Sequence, residues 1–503
     1  MKTQARALLA GLGPADADSV FRAAVTAVKH GLHDEALAPL EAAVDRHPHD
    51  ARLWQMLGLA HRGREDSVAA RDAFEKAAQL APGDPLIAHS LARVTMEAGF
   101  PAADLFARAV AMAPDDGAVR QGYAAALFAE SRMDEAIAML DAALARSPAW
   151  TAGHETATRL RWMRGDGPGS TATYERALAA QSGRLDLWQS LAALLLQGEQ
   201  YDEALAVIAR ARAASGPQPS LDRLETICIA ESGDIEAGDH AFARLGTIAD
   251  VPMAVRYARH LLRAGRASEA AAFAEAWIDR DPGFLMTPYL ALAWRLTGDT
   301  RWEWLEGDPR FIGVYDLGAR IGSLDALADR LRGLHLATRQ PLDQTVRGGT
   351  QTDGPLFARA EPEIRALRQA IVEAVEAHVA QLPAHDPRHP LLSAPRGPVR
   401  FAGSWSVRLS DAGFHVNHVH SAGWLSSAFY VELPGGALGG AGHDGWLTLC
   451  EAKELGLDLP PIRLIEPKPG RLVLFPSTMW HGTRPFAAGE RLTVAFDVAR
   501  PND

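Results

Sequence analysis

The sequence predicts a multidomain chain in two parts, an all-α superhelix of stacked helix pairs followed by a jelly-roll β domain with flanking helices. Three observations carry this expectation. Prolines and small residues recur at a near-constant spacing over residues 1–296; the pattern decays near Thr297; and from Val399 short segments rich in β-branched and aromatic residues, punctuated by Gly and Pro, take over. Length agrees, because 503 residues exceed the roughly 100–200 that one core usually organises.

The helical part is read from its register. Taking Ala51 as position 1 of a unit, Trp54, Leu57, Gly58, His61, Ala70, Phe74, Ala77 and Pro82 fall at positions 4, 7, 8, 11, 20, 24, 27 and 32. Pro48 and Pro82 are 34 residues apart, Pro114 follows after 32 and Pro148 after 34. Ala36, Ala70, Ala136, Ala204 and Ala270 mark one recurring small-residue position. This stretch resembles the tetratricopeptide repeat, whose period is about 34 residues. About eight units are expected in residues 1–296, beginning near Ala17, Ala51, Pro85, Gly117, Thr151, Leu185, Pro219 and Val251, with a degenerate one from Leu285. The Pro219 unit is weakest, with Gly238 in place of the usual Ala. Each unit has too small an apolar face to stand alone, so neighbours stack and leave a concave side for a protein or peptide. Trp54, Phe74, Tyr123 and Trp188 are read as packing residues.

Charge and cysteine content narrow the function classes. With 62 acidic against 51 basic residues the net charge is -11, which disfavours nucleic acid as a partner. Cys228 and Cys450 are the only cysteines, so neither a disulfide framework nor a thiolate cluster is available. No apolar run approaches the roughly 18 residues of a membrane span. Lys2, Arg6 and the apolar Ala7 to Leu12 superficially resemble a signal peptide, but Pro14, Asp16 and Asp18 interrupt it. A cytoplasmic protein is expected, with no membrane partner.

Residues 297–345 read as a connecting helical segment, passing Phe311 and Tyr315 to a helix around Leu324 to Leu336, and residues 346–503 as the β domain. Pro341 to Thr352 reads as a glycine-centred loop. Ile364, Leu367, Ile371, Val375 and Leu382 define an amphipathic helix between Pro362 and Pro383, expected to cover one sheet face. Strands are expected at Phe401 to Leu409, Trp424 to Leu433, Trp446 to Leu449, Arg471 to Phe475 and Arg491 to Ala499, closing as a double-sheet jelly roll.

Histidines stand out within this β region. His415, His418 and His420 cluster in Gly413-Phe414-His415-Val416-Asn417-His418-Val419-His420, and His481 follows a strand. Residues at i and i+2 of a strand point to one side, so His418 and His420 can address one point. A third imidazole from a neighbouring strand completes a facial metal triangle with open positions. Arg491 and Thr493, spaced the same way, suit one end of a dicarboxylate. Metal ligands at one end and a carboxylate clamp at the other describe a 2-oxoglutarate pocket. His415 and Asn417 are read as contacts behind the ligands or to the co-substrate, His443 as a loop residue, Cys450 as a small buried residue, and Arg347 and Arg408 as solvated or ion-paired.

Gln344 to Thr352, Gly403 to Arg408, the histidine cluster with Gly423 to Val431, and Leu472 to Ser477 with Trp480 to Thr483 together resemble the 2-oxoglutarate/iron(II)-dependent oxygenases that bacteria fuse to tetratricopeptide repeats. The resemblance implies a double-stranded β-helix, Fe(II), 2-oxoglutarate and O2, and oxidative decarboxylation coupled to hydroxylation of a C–H bond. His418, His420 and His481 are expected at the metal, and Arg491, Thr493 and Asn417 toward the co-substrate. The family pattern is His-x-Asp/Glu with a distant His, and here His420 stands where the carboxylate is expected. Three alternatives stay open: three neutral ligands, with the 2-oxoglutarate dianion balancing the metal; His418 and His481 with a water; or a carboxylate such as Asp411 or Asp444 from elsewhere. Trp424, Tyr430 and Trp480 are candidate pocket walls. Fusion to the repeats favours a protein or peptide substrate. The rival readings are a non-catalytic scaffold with a degenerate barrel and a three-histidine cupin-type dioxygenase that does not use 2-oxoglutarate.

Overall fold

A computed structural model of the chain describes residues 2–12, 16–342, 345–420, 423–435 and 443–501. Pro14, Asp343, Gln344 and Gly442 of the segments above lie outside the described residues. Paired helices run from Ala17–Lys29 to Thr287–Thr297, and their first members begin at Ala17, Ala51, Pro85, Gly117, Thr151, Leu185, Pro219 and Val251. The period is written into the caps. Asp16, Asp50, Asp84, Asp116 and Asp250 each accept a backbone N–H from the first turn that follows, an arrangement worth about 1 kcal/mol per helix. At position 4 of a unit the side-chain N–H of Trp54 bonds Pro48 O at 3.0 Å and that of Trp188 bonds Ser182 O at 2.8 Å, while His154 Nε2 lies 3.1 Å from Pro148 O. Small residues let the paired helices approach: a Cβ at Gly58 would stand 2.7 Å from the Phe74 ring.

The chain divides into two compact units, Met1–Ala142 with Asp353–Arg365, and Ala143–Thr352 with Ala366–Asp503. In the first, the returning segment is pinned by Ala360 N–H to Ala98 O at 3.0 Å.

The second unit holds the later repeats and all the strands: β1 Gly313–Asp316, β2 Val346–Gln351, β3 Phe401–His415, β4 Leu425–Glu432, β5 Leu447–Leu449, β6 Arg463–Ile465, β7 Arg471–Pro476, β8 His481–Thr483 and β9 Glu490–Val498. They form antiparallel sheets in the orders β1-β7-β4-β9-β3-β2 and β6-β5-β8, consistent with a jelly roll. Within the glycine-centred segment, Val346–Gln351 form a strand rather than a loop. β2 pairs with β3 across an irregularity at Arg347/Gly349, where Gly348 adopts φ 70° and escapes apolar periodicity because an edge strand needs none. β3 runs on past Leu409 to His415, turning through the positive φ of Asp411 and Ala412. β1, β6 and β8 are too short to announce themselves. The helix Pro362–Gln381 is tied to the large sheet by Tyr315 Oη, 3.0 Å from His378 Nδ1, and by Arg368 over the Phe401 ring.

The last repeat helices and the small sheet share a core. Leu290, Trp294 and Leu305 pack with Ala452, Leu455 and Trp480; the Trp480 indole donates to Pro288 O at 3.2 Å and its ring meets Tyr289 edge-on. Both cysteines are free and buried. No helix among the described residues is long and apolar enough to cross a membrane.

One buried acid is coupled to this core. Glu306, in the π-helical turn Glu303–Gly307, accepts from Cys450 Sγ at 3.3 Å, and burial pushes its carboxyl up to about 7 from 4.5. A folded-state value above the unfolded one means that the folded state holds the proton more tightly. Its contribution to stability is therefore complete below about pH 4.5 and is lost as pH rises through about 7. Glu306→Gln should flatten the fall in thermal midpoint between pH 5 and 8, removing a term on the order of 3 kcal/mol at most; parallel melting curves for parent and variant across that range would refute the assignment.

Candidate metal centre

After β3 ends at His415, the chain leaves the large sheet and forms a two-residue antiparallel bridge between His418 and His481, with both N–H···O distances 2.9 Å. His420 is held next by its own N–H to Ser477 O at 3.0 Å. The rings of His418 and His481 come within 4.2 Å, and His420 lies 4.8 Å from the first and 5.1 Å from the second. One nitrogen from each of the three lies within 4.8 Å of the others.

The second nitrogen of each ring decides which atom is on offer. His418 Nδ1 lies 2.7 Å from Val416 O, His481 Nδ1 lies 3.0 Å from Met479 O, and His420 Nδ1 lies 2.8 and 2.9 Å from the two oxygens of Asp497. Carbonyl and carboxylate oxygens only accept, so each Nδ1 carries a proton and Nε2 is the atom each ring has to offer a metal. Burial, reinforced by the neighbouring imidazoles, drives His418 and His481 well below the ordinary histidine range. Neutral imidazole is the form that binds metal.

The histidines share a cavity with Thr345, Gln351, Trp405, His415, Thr483, Arg491, Thr493 and Ala495, among others. His415 is pushed down to about 3 by burial, then by Arg491, His420 and Arg347. Arg491, Thr493, Ala495 and Asp497 lie on one face of β9, at alternate positions. Arg491 is fully enclosed, and burial lowers its guanidinium from the usual value. It donates to Gly445 O at 3.0 Å, its Cζ lies 5.6 Å from the Tyr430 ring centroid, and β4 sets Tyr430 opposite Thr493. Among the described residues the Arg491 Nε and the Tyr430 hydroxyl find no partner. Buried donors left this way cost about 1–3 kcal/mol each, and a carboxylate is the group that answers a guanidinium and a phenol together.

Other sequence candidates fall elsewhere. Asn417 is buried, but its amide donates to Thr448 Oγ1 at 3.1 Å and accepts from Lys453 N at 3.3 Å, and it does not line the cavity. Asp411 and Asp444 are exposed; Asp411 accepts from Gly489 N, and neither joins the imidazoles. His443 meets Trp446 in the loop before β5. Arg347 pairs with Glu199 and Arg408 with Glu490. Trp424 and Trp480 donate to Leu391 O and Pro288 O within the core, while Trp405 and Phe475 line the cavity. Asp497 went unnoticed in the sequence although it continues the alternation of Arg491, Thr493 and Ala495.

A jelly-roll cavity that gathers three imidazoles beside a buried guanidinium has the donor set of a mononuclear non-haem metal site. Residues 403–497 match the family model described as "Putative 2OG-Fe(II) oxygenase", and residues 21–85 and 102–160 match two tetratricopeptide-repeat models. The chain joins tetratricopeptide repeats to a C-terminal domain of that oxygenase family. A curated relative, cellulose synthase operon protein C of Xanthomonas axonopodis pv. citri (strain 306), is 28% identical over 244 residues, which take in 44% of this chain and 16% of that protein's length. Among solved structures, YrrB, a tetratricopeptide-repeat protein with an unusual peptide-binding site, is 21% identical, with 35% of this chain and 91% of that one covered and a TM-score of 0.29. A Pseudomonas putida prolyl-4-hydroxylase is 16% identical, with 38% of this chain and 94% of that one covered and a TM-score of 0.25.

The residues present fit iron(II): three neutral nitrogen donors with fixed tautomers suit a divalent first-row metal. His481→Ala should reduce cobalt(II) binding at least roughly a hundredfold in calorimetry, while Asn417→Ala should leave it within a factor of about three, since that amide faces Thr448.

Proposed function

We propose that this chain is a 2-oxoglutarate- and iron(II)-dependent oxygenase that hydroxylates a side chain of a protein or peptide docked by its repeat array. The observation that carries the reading is the sharing of one cavity by His418, His420, His481 and Arg491, whose Nε finds no partner among the described residues. His418, His420 and His481 would hold the metal. Arg491 and Thr493, with the Tyr430 hydroxyl, would grip the far carboxylate of the co-substrate, so that its keto-acid end faces the imidazoles. When bound there, iron(II) with 2-oxoglutarate and O2 supplies decarboxylation to succinate and CO2, coupled to insertion of one oxygen atom into a substrate C–H bond.

This chain's residues do the placing. The Nδ1 hydrogen bonds keep the three rings from rotating or changing tautomer. Trp405 and Phe475, both lining the cavity, narrow the space open to water. His415, held neutral, offers a polar nitrogen without adding a positive charge beside the metal. The docking part of the reading is supported by the architecture, since stacked repeats present extended concave surfaces suited to peptides and proteins.

Anaerobic titration of the iron(II) protein with 2-oxoglutarate tests the site. The parent should develop a visible metal-to-ligand charge-transfer band, Arg491→Ala should need more than about tenfold higher co-substrate, in line with loss of a charged hydrogen-bonded contact, and His481→Ala should give no band. An iron-loaded parent that stays colourless would overturn the role of 2-oxoglutarate. The absence of a carboxylate from the imidazole cluster among the described residues would then favour a three-histidine dioxygenase that dispenses with the oxo-acid.

A further inference from the structure

We infer that Asp497 is a positioning residue that returns to the metal site, through His420, the carboxylate charge missing from its ligand set. The inference rests on reading the cavity as a metal site.

Among the described residues the imidazole cluster contains no carboxylate oxygen. The carboxylate that does touch it is Asp497, with both oxygens within 2.9 Å of His420 Nδ1. His418 and His481 use neutral backbone carbonyls for the same purpose. The three rings therefore differ in kind: His420 alone among them has an anion behind it. A carboxylate behind an imidazole raises the basicity of the opposite nitrogen and locks its tautomer, whereas a carbonyl supplies mainly orientation.

Asp497 is itself held in a built network. Its Oδ1 is 2.6 Å from Ser426 Oγ, which is 2.9 Å from Ser477 Oγ. A serine hydroxyl has one proton and a carboxylate only accepts, so Ser426 donates to Asp497 and Ser477 donates to Ser426. Ser477 also closes the circuit through its carbonyl, which accepts the backbone N–H of His420. The space is reserved for this arrangement: a Cβ on Gly423 would lie 2.5 Å from Ser477 Oγ and 3.2 Å from Asp497 Cβ. The Asp497 side chain is 14% exposed and that of His420 23%, so the pair is shielded enough for its charge to be felt at Nε2.

The charge that the His-x-Asp/Glu pattern would place on the metal is thus set one imidazole further out. Three neutral ligands would leave a divalent cation with no protein charge opposing it. Asp497 offsets one unit from behind His420 while leaving that ring's Nε2 as the donor atom. The two positions should be exchangeable: a carboxylate at position 420 should make the one at 497 dispensable.

Cobalt(II) binding to the full chain, read by calorimetry and by the visible ligand-field bands, tests this without turnover. Asp497→Asn should weaken cobalt(II) binding roughly ten- to hundredfold and shift the bands, while Ser426→Ala, which keeps the charge and removes one support, should weaken it by a smaller factor. Against a His420→Asp background, Asp497→Asn should change affinity by less than about threefold, because the linking imidazole is gone. Parental affinity and bands in both Asp497→Asn and Ser426→Ala, or an equal loss on adding Asp497→Asn to either background, would overturn the inference. Parental cobalt binding in His481→Ala would instead sink the metal-site reading on which it rests.

Discussion

The site depends on one short backbone pairing. The reciprocal hydrogen bonds between His418 and His481 join a segment that has left the large sheet to the start of β8, and they do so at the two residues whose rings must meet. Were the pairing shifted by one residue, each ring would turn to the other side of its segment. The bridge sets where the imidazoles stand, and the acceptors at Val416, Met479 and Asp497 set which nitrogen they present. Position and tautomer are separate requirements, met by separate contacts.

The repeat helices hold this bridge from behind. Val419 lies between His418 and His420, and Trp480 precedes His481; both pack on the cluster that includes Leu290 and Trp294 of the last repeat helix. Alternation along the two extended segments sends histidines to the cavity and their neighbours into the helical core. The Trp480 indole bond to Pro288 O adds a directional tie that a purely apolar contact would lack. Packing of the later repeats thereby bears on where the imidazoles stand, since a side chain in a dense core resists displacement.

Alternation also explains which residue assignments the sequence allowed. Arg491 and Thr493 share a strand face inside β9, and the same parity leads on to Asp497. The same rule pairs Asn417 with His415, but β3 ends at His415, and once the chain departs from regular pairing the parity no longer carries over. His418 and His420 face the cavity while Asn417 turns to Thr448 and Lys453. A period-two argument holds only as far as the strand it is drawn from.

Local chemistry by itself determined the helical array. Asp caps, turn prolines, and small residues opposite aromatics recur near one spacing, and the Asp-capped helix starts follow from contacts within a unit. The same was true of the histidine and arginine candidates, whose residue types and spacings are visible in the chain. Tertiary structure decided what no local signal could: that the Gly-rich segment pairs as β2, that His420 joins the other two imidazoles, and that the carboxylate touching them comes from the far end of β9. These outcomes rest on pairings between segments distant in sequence, whose energy comes from hydrogen bonds and burial that exist only once the sheets have closed.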